Sequence, residues 1–182
     1  MRIKTSKLNG VLLIDQDIFH DYRGYFFESF NEKKFQKIIG KEIKFIQDNE
    51  SKSSKGVLRG LHFQTPPYDQ SKLVRVIEGE VLDVTVDLRK SSPTYGMHQC
   101  IKLDSKEKKQ IFIPRGFAHG YIVTSEEAIF AYKVDNIYSP ENQRTIMWND
   151  MHLNIDWGMP NKELVISEKD LRGMNFIEIN DF

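Results

Sequence analysis

His62 stands in the octet Val57-Leu58-Arg59-Gly60-Leu61-His62-Phe63-Gln64, with Arg59 three residues before it. An imidazole has an ordinary pKa of about 6.5, so near pH 7 it can take up a proton and give it back. Strict alternation along a strand puts Leu58, Gly60, His62 and Gln64 on one face and Val57, Arg59, Leu61 and Phe63 on the other. Arg59 and His62 can reach one cavity only if the strand is irregular, and Gly60 is the place for a bulge or a close backbone approach. Taken alone, a histidine in an apolar strand reads first as a buried side chain satisfied by hydrogen bonds. A second histidine, His119, follows Pro114-Arg115-Gly116-Phe117-Ala118 at the entry to another strand. No His-x-His occurs in the chain, so a three-histidine metal site is not expected. The one metal arrangement left is His62 and His119 with a carboxylate.

The elements that must position these residues are mostly short strands. Val57–Gln64 has the β-branched and large apolar content of a half-buried strand and is closed by the turn Thr65-Pro66-Pro67. Val81–Leu88 alternates most clearly, with Leu82, Val84, Val86 and Leu88 on one face and Val81, Asp83, Thr85 and Asp87 on the other. Further strands are expected at 11–14, 25–30, 43–47, 72–77, 97–103, 110–113, 120–123, 128–134 and 144–148. Glu78-Gly79 is a tight turn. One helix is expected, capped by Asn31, with Phe35, Ile38 and Ile39 on one face and Gly40 at its end. Ser167-Glu168-Lys169-Asp170 has the spacing of a helix-capping box. About ten short strands separated by Gly, Pro, Asn and Asp predict an all-β fold, a jelly-roll barrel with one or two short peripheral helices.

The 182 residues suit a single domain over residues 1–182. Apolar content of 40%, charged content of 29% and a net charge of zero describe an ordinary soluble protein, with no global pull toward nucleic acid. The single cysteine, Cys100, excludes an internal disulfide and suits a reducing compartment. Neither a signal-peptide pattern nor a run of membrane-spanning length is seen, so a cytoplasmic protein without membrane contact is expected.

Pro-x-Gly-x-x-His ahead of a strand resembles the second motif of the cupin superfamily of small jelly-roll barrels. A more specific resemblance runs from about residue 10 to 172. It is carried by Asp21-Tyr22-Arg23-Gly24-Tyr25-Phe26-Phe27-Glu28, Gln47-Asp48-Asn49-Glu50-Ser51, Lys55 to Gln64, Lys72-Leu73-Val74-Arg75-Val76, Asp87-Leu88-Arg89 and Pro114 to Gly120. Tyr132-Lys133, Tyr138-Ser139-Pro140-Glu141 and Ser167 to Asp170 complete it. In these motifs the chain resembles the dTDP-4-dehydrorhamnose 3,5-epimerases, enzymes of nucleotide-sugar metabolism that use no cofactor.

The resemblance implies inversion of C3 and C5, the two carbons flanking the C4 ketone of a dTDP-linked 4-keto-6-deoxy sugar. Removing a proton there needs a base, stabilisation of the developing enolate oxygen, and an acid on the opposite face. His62 matches the family's base. Asp170 matches the carboxylate that orients it, although its place in the capping box gives it a purely local role as well. Tyr132 matches the acid, against the simpler reading of a core aromatic. Lys72 matches the group that polarises the ketone, against that of a strand-edge lysine.

Arg23, Arg59, Gln47 and Asn49 correspond to contacts with pyrophosphate and nucleotide; an arginine fork suits phosphate oxygens. Phe19 and Glu28 correspond to contacts around the thymidine, though packing and surface charge would also account for them. Tyr138 corresponds to a residue stacked on the base, His119 to one beside the sugar, and Lys169 to a cation lining the site. The resemblance further implies a homodimer whose N-terminal segments cross to the partner. Two positions depart from the pattern. Gln143 stands where an acidic residue is common and takes no role, and Phe63 stands where many relatives carry tyrosine. Three rivals remain: a mono-epimerase acting at C3 or C5 only, a metal-dependent cupin oxygenase, and a sugar-nucleotide binding module without catalysis.

Overall fold

The computed structural model describes residues 2–40 and 42–182; Met1 and Lys41 lie outside the described residues. The chain begins with β1 (Arg2–Thr5), β2 (Leu12–Asp15), β3 (Phe19–Asp21), β4 (Gly24–Phe26), helix α1 (Glu32–Ile39) and β5 (Gln47–Ser54). It continues through β6 (Val57–Gln64), β7 (Lys72–Glu78), β8 (Glu80–Asp87), β9 (His98–Asp104) and β10 (Gln110–Ile113). β11 (Phe117–Val123), β12 (Glu127–Val134), β13 (Gln143–Thr145) and β14 (Val165–Ile166) complete the strands. One sheet has the order β1-β2-β10-β7-β12-β5 and the other β13-β6-β11-β8-β9, with β14 parallel to β6. β3 and β4 form a separate hairpin.

Apolar side chains from both sheets meet between them. Val74, Val76, Ile111, Ile113 and Phe130 come from one, and Val81, Phe117, Tyr121 and Val123 from the other. Each such side chain taken fully out of water contributes about 1.5–3 kcal/mol. The outer face of the second sheet is apolar as well, as the alternation of β8 predicts. Val84, Val86 and Leu88 lie there with Leu58, Leu61 and Phe63, under Leu153, Trp157 and Ile179 of the C-terminal segment. On the outer face of the first sheet, Phe35 of α1 packs with Ile14, Leu73 and Phe112. α1 is capped as its sequence requires: the Asn31 side-chain oxygen accepts from Lys34 N–H at 3.1 Å, and Gly40 closes the helix at φ +64°.

This is the expected cupin-type jelly roll, with local corrections. Ile43–Ile46 does not form a strand; Ile43 and Phe45 fold over Phe35 and Phe112 as an apolar cover. The strand begins only at Gln47 and runs through the polar stretch QDNESKSS. That sequence pairs because it is a sheet edge, with one side in water and little need for apolar alternation. The strand expected at 25–30 stops at Phe26, and that at 144–148 shortens to Gln143–Thr145 followed by a single bridge between Ile146 and Met174. The capping-box segment makes only a 3-10 turn, Asp170–Arg172.

Candidate active site

β6 is irregular where Gly60 suggested it. His119 of β11 pairs with His62, yet Tyr121 pairs with Arg59, so β6 holds one residue more than β11 across the same interval. Gly60 absorbs it at φ +127°, where a Cβ would stand 2.5 Å from Gly120 Cα; only glycine fits. The extra residue turns Arg59 onto the face of His62 and Gln64. All three line a cavity of about 530 Å³, while Leu58 and Leu61 remain in the core behind.

Asp170 meets His62 from behind. The His62 Nε2 and Asp170 Oδ1 atoms lie 2.6 Å apart, and Gly60 N–H donates to Asp170 Oδ2 at 3.4 Å. Asp170 is tied both to its own turn and across the chain. Its backbone N–H donates to the Ser167 hydroxyl at 3.2 Å, which leaves the carboxylate free to reach across the chain. Burial pushes this carboxyl up, but the His62 hydrogen bond and charge and the Gly60 N–H outweigh it, and its pKa falls below the ordinary value. An ionised Asp170 fixes the imidazole tautomer and stabilises an imidazolium.

Lys72, on β7, reaches the same cavity, with Nζ 3.5 Å from the His62 carbonyl oxygen. Burial lowers its pKa to about 8, against the pull of the Asp83 carboxylate. Tyr132, on β12, lines the cavity too. Burial raises its hydroxyl pKa, with Tyr121 acting in the same direction, so the group stays protonated and can serve as an acid. His119 sits deeper, its Nε2 2.7 Å from Asp83 Oδ2.

The cavity therefore gathers His62, Lys72, Tyr132, His119, Arg59, Asn49 and Tyr138, with Asp170 behind His62. Arg59 Nε donates to the Ser53 hydroxyl at 3.1 Å. Gln47 touches the group through Asn49, at 2.7 Å. Lys169 joins at the rim, its Nζ donating to Gln143 Oε1 at 2.9 Å. Phe19, Arg23 and Glu28 are not brought to this cavity within one chain. Phe19 and Arg23 lie on the exposed β3–β4 hairpin, where Arg23 pairs with Asp21, and Glu28 pairs with Lys34 near the start of α1.

Four residues that sequence reasoning gave no role belong to the site. Asp83 holds His119, and its inward position on the alternating β8 was the available signal. Tyr121 stacks on Phe130 at 4.2 Å between ring centres and shares a 2.8 Å hydrogen bond with the Ser51 hydroxyl. Gln143 Oε1 accepts from Tyr138 OH at 2.5 Å as well as from Lys169. Gln64 shares the His62 face. Among the described residues no three or more His, Cys, Asp or Glu side chains converge as metal ligands.

The family model described as dTDP-4-dehydrorhamnose 3,5-epimerase matches residues 5–178. A dTDP-4-dehydrorhamnose 3,5-epimerase of Shigella flexneri is 47% identical over 182 residues, covering 100% of this chain and 99% of its own. The crystal structure of the enzyme of that name from Elizabethkingia anophelis superposes with a TM-score of 0.95 at 44% identity, covering 100% and 99% of the two chains. A Legionella pneumophila dTDP-6-deoxy-D-glucose-3,5-epimerase, solved in complex with dTDP-4-keto-L-rhamnose, gives a TM-score of 0.94 at 41% identity over 98% and 94%. With its long motifs in order, its jelly-roll fold and near full-length similarity on both sides, the chain belongs to the dTDP-4-dehydrorhamnose 3,5-epimerase family.

Proposed function

We propose that the chain converts dTDP-4-dehydro-6-deoxy-D-glucose to dTDP-4-dehydro-L-rhamnose by moving protons at C3 and C5, and that residues 1–182 act as one jelly-roll unit. The observation that carries this reading is the His62–Asp170 pair at 2.6 Å, opening on a cavity that Lys72 and Tyr132 also line. His62 takes the proton from the carbon beside the ketone. The C–H electron pair moves into the carbonyl to give the enolate, whose oxygen is stabilised by the Lys72 ammonium. Asp170 stabilises the imidazolium. Tyr132 then delivers a proton to the same carbon from the opposite face, which inverts it, and solvent restores the initial protonation states. The balance involves protons alone and calls for no redox group.

Arg59, Gln47 and Asn49 hold the diphosphate and nucleotide, Tyr138 stacks on the base, and His119 and Lys169 flank the sugar and the rim. Phe19, Arg23 and Glu28 complete the site of a partner protomer in a homodimer. What supports this is the hairpin itself, where Tyr22 is 97% exposed and Phe26 70% exposed, an unusual amount of aromatic surface for three-residue strands. Mixing inactive His62→Ala and Arg23→Ala proteins under exchange conditions should then restore activity, because one site of each mixed dimer carries both groups. A cytoplasmic location follows from the biosynthetic chemistry and the lone thiol; among the described residues no helix is long and apolar enough to cross a membrane.

The deciding experiment is proton NMR of dTDP-4-dehydro-6-deoxy-D-glucose with the pure protein in D₂O. Loss of both the C3 and the C5 proton signals is expected. Loss of one alone would make this a mono-epimerase, and loss of neither would refute the catalytic reading.

A further inference from the structure

Gln64 ends β6 two residues after His62, and its buried amide is used at every hydrogen-bonding position but one lone pair. Nε2 donates to the carbonyls of Tyr68 at 2.6 Å and Ile137 at 3.0 Å, and Oε1 accepts from Ser139 N–H at 2.7 Å. Two carbonyls beside the nitrogen and an N–H beside the oxygen fix the orientation of the amide. Two of the three partners, Ile137 and Ser139, flank Tyr138. The loop around them is stitched to residues 65–71. Thr65 N–H donates to Asn142 O at 3.0 Å, Gln70 Nε2 to Asn136 O at 2.8 Å, and Asn136 Nδ2 to Pro67 O at 2.9 Å. Gln64 alone among these bonds the backbone on both sides of Tyr138. The tyrosine ring is half in water at the cavity rim, and its hydroxyl is tied to Gln143.

We infer that Gln64 is a positioning residue for the nucleotide, acting through Tyr138. It holds the tyrosine loop in its binding geometry before ligand arrives, so that the ring is a ready platform for a nucleobase. A loop left to order itself on binding would spend part of the binding energy doing so. The inference rests on the reading of Tyr138 as the base-stacking residue. The position requires two donors and one acceptor on one side chain. An ionised glutamate supplies no donor and would face two carbonyls, and methionine of similar shape supplies no donor and only a weak acceptor.

Gln64→Met should raise the Kd for dTDP and the KM for the sugar nucleotide about tenfold while lowering kcat less than about threefold, the pattern of lost ground-state binding. In a Tyr138→Ala background the same change should alter Kd less than about twofold, because the two act as one unit. In the unmodified protein the Ser139 amide should be strongly protected from hydrogen exchange without ligand, a measurement that does not depend on any variant folding. An unchanged Kd in Tyr138→Ala would remove the stacking reading and this inference together. A weakened Tyr138→Ala with an unchanged Gln64→Met would overturn the inference alone. So would effects that multiply in the double variant, a loss carried by kcat, or an unprotected Ser139 amide.

Discussion

Two histidine–aspartate pairs lie side by side on neighbouring strands of one sheet, with nearly the same bond and different settings. His62 and His119 face each other in the pairing of β6 and β11, and their Nε2 atoms lie 2.6 and 2.7 Å from Asp170 and Asp83. The His62 side chain is 31% exposed and that of His119 only 8%. Asp170 arrives from a 3-10 turn 108 residues away, steadied by Gly60 and Ser167. Asp83 sits on the adjoining strand β8, fully within the sheet, with Thr85 Oγ1 donating to it at 3.4 Å. The same bond thus does different work. A base must meet its substrate, and of the two pairs the half-open one meets that requirement. The closed pair satisfies two buried polar groups and shapes the cavity wall. Lys72 reaches toward both from the other sheet, touching the carbonyl of one histidine and feeling the charge of the other's aspartate.

The sharpest way to break this contrast is His62→Ala. It should slow deuterium incorporation at C3 and C5 by about 10²–10⁴-fold while leaving dTDP affinity nearly unchanged. A variant that keeps a tenth of the rate would unseat His62 as the base. Asp170→Asn should follow, with a loss on the order of a hundredfold in kcat, because the amide no longer stabilises the imidazolium; a rate within twofold of the original would leave Asp170 a structural partner of His62 only.

His119→Ala should act on stability more than on rate. Its rate loss should be smaller than that of His62→Ala, but it strands the buried Asp83 carboxylate, at a cost of about 1–3 kcal/mol read from urea denaturation. If His119→Ala proves as stable as the parent protein, the closed pair has no structural role.

Lys72 gives a pH dependence whose sign can be checked. Its ammonium, held near a pKa of about 8, is lost as pH rises through that value, so the epimerisation rate should fall there. Stability should move the other way. Between about pH 8 and the unfolded value of 10.5 the unfolded chain binds a proton that the folded chain lacks. Stability therefore rises with pH across that window. Lys72→Met should abolish that rise, and a denaturation series from pH 7.5 to about 10.5 would show it; an unchanged slope would mean that Lys72 is not the group responsible.

The amount of this that was legible in the sequence varies by residue. The helix at Glu32–Ile39 was readable because its cap, its apolar spacing and its terminal glycine all lie within ten residues. The two faces of β8 were readable for the same reason. β5 was missed because an edge strand with one wet side needs no apolar pattern, and the stretch before it looked more strand-like than the strand itself. The roles of Tyr132 and Lys72 came from family resemblance, since a tyrosine and a lysine in strands have no local signature. Asp83, Tyr121 and Gln64 were passed over because their partners are distant in the chain: Asp83 meets His119, Tyr121 meets Ser51, and Gln64 meets a loop some 73 residues on.

The sequence by itself determined the all-β class, the helix at Glu32–Ile39, the apolar faces and the glycine that lets β6 carry an extra residue, because each depends on neighbours a few positions away. Only the tertiary structure decided that Arg59 and His62 share a cavity, that Asp170 leaves its local cap free to hold His62, and that one of two like-bonded histidines is open and the other shut. Those outcomes depend on which strands lie together and what covers them. That is set by the burial of whole apolar faces rather than by any one segment.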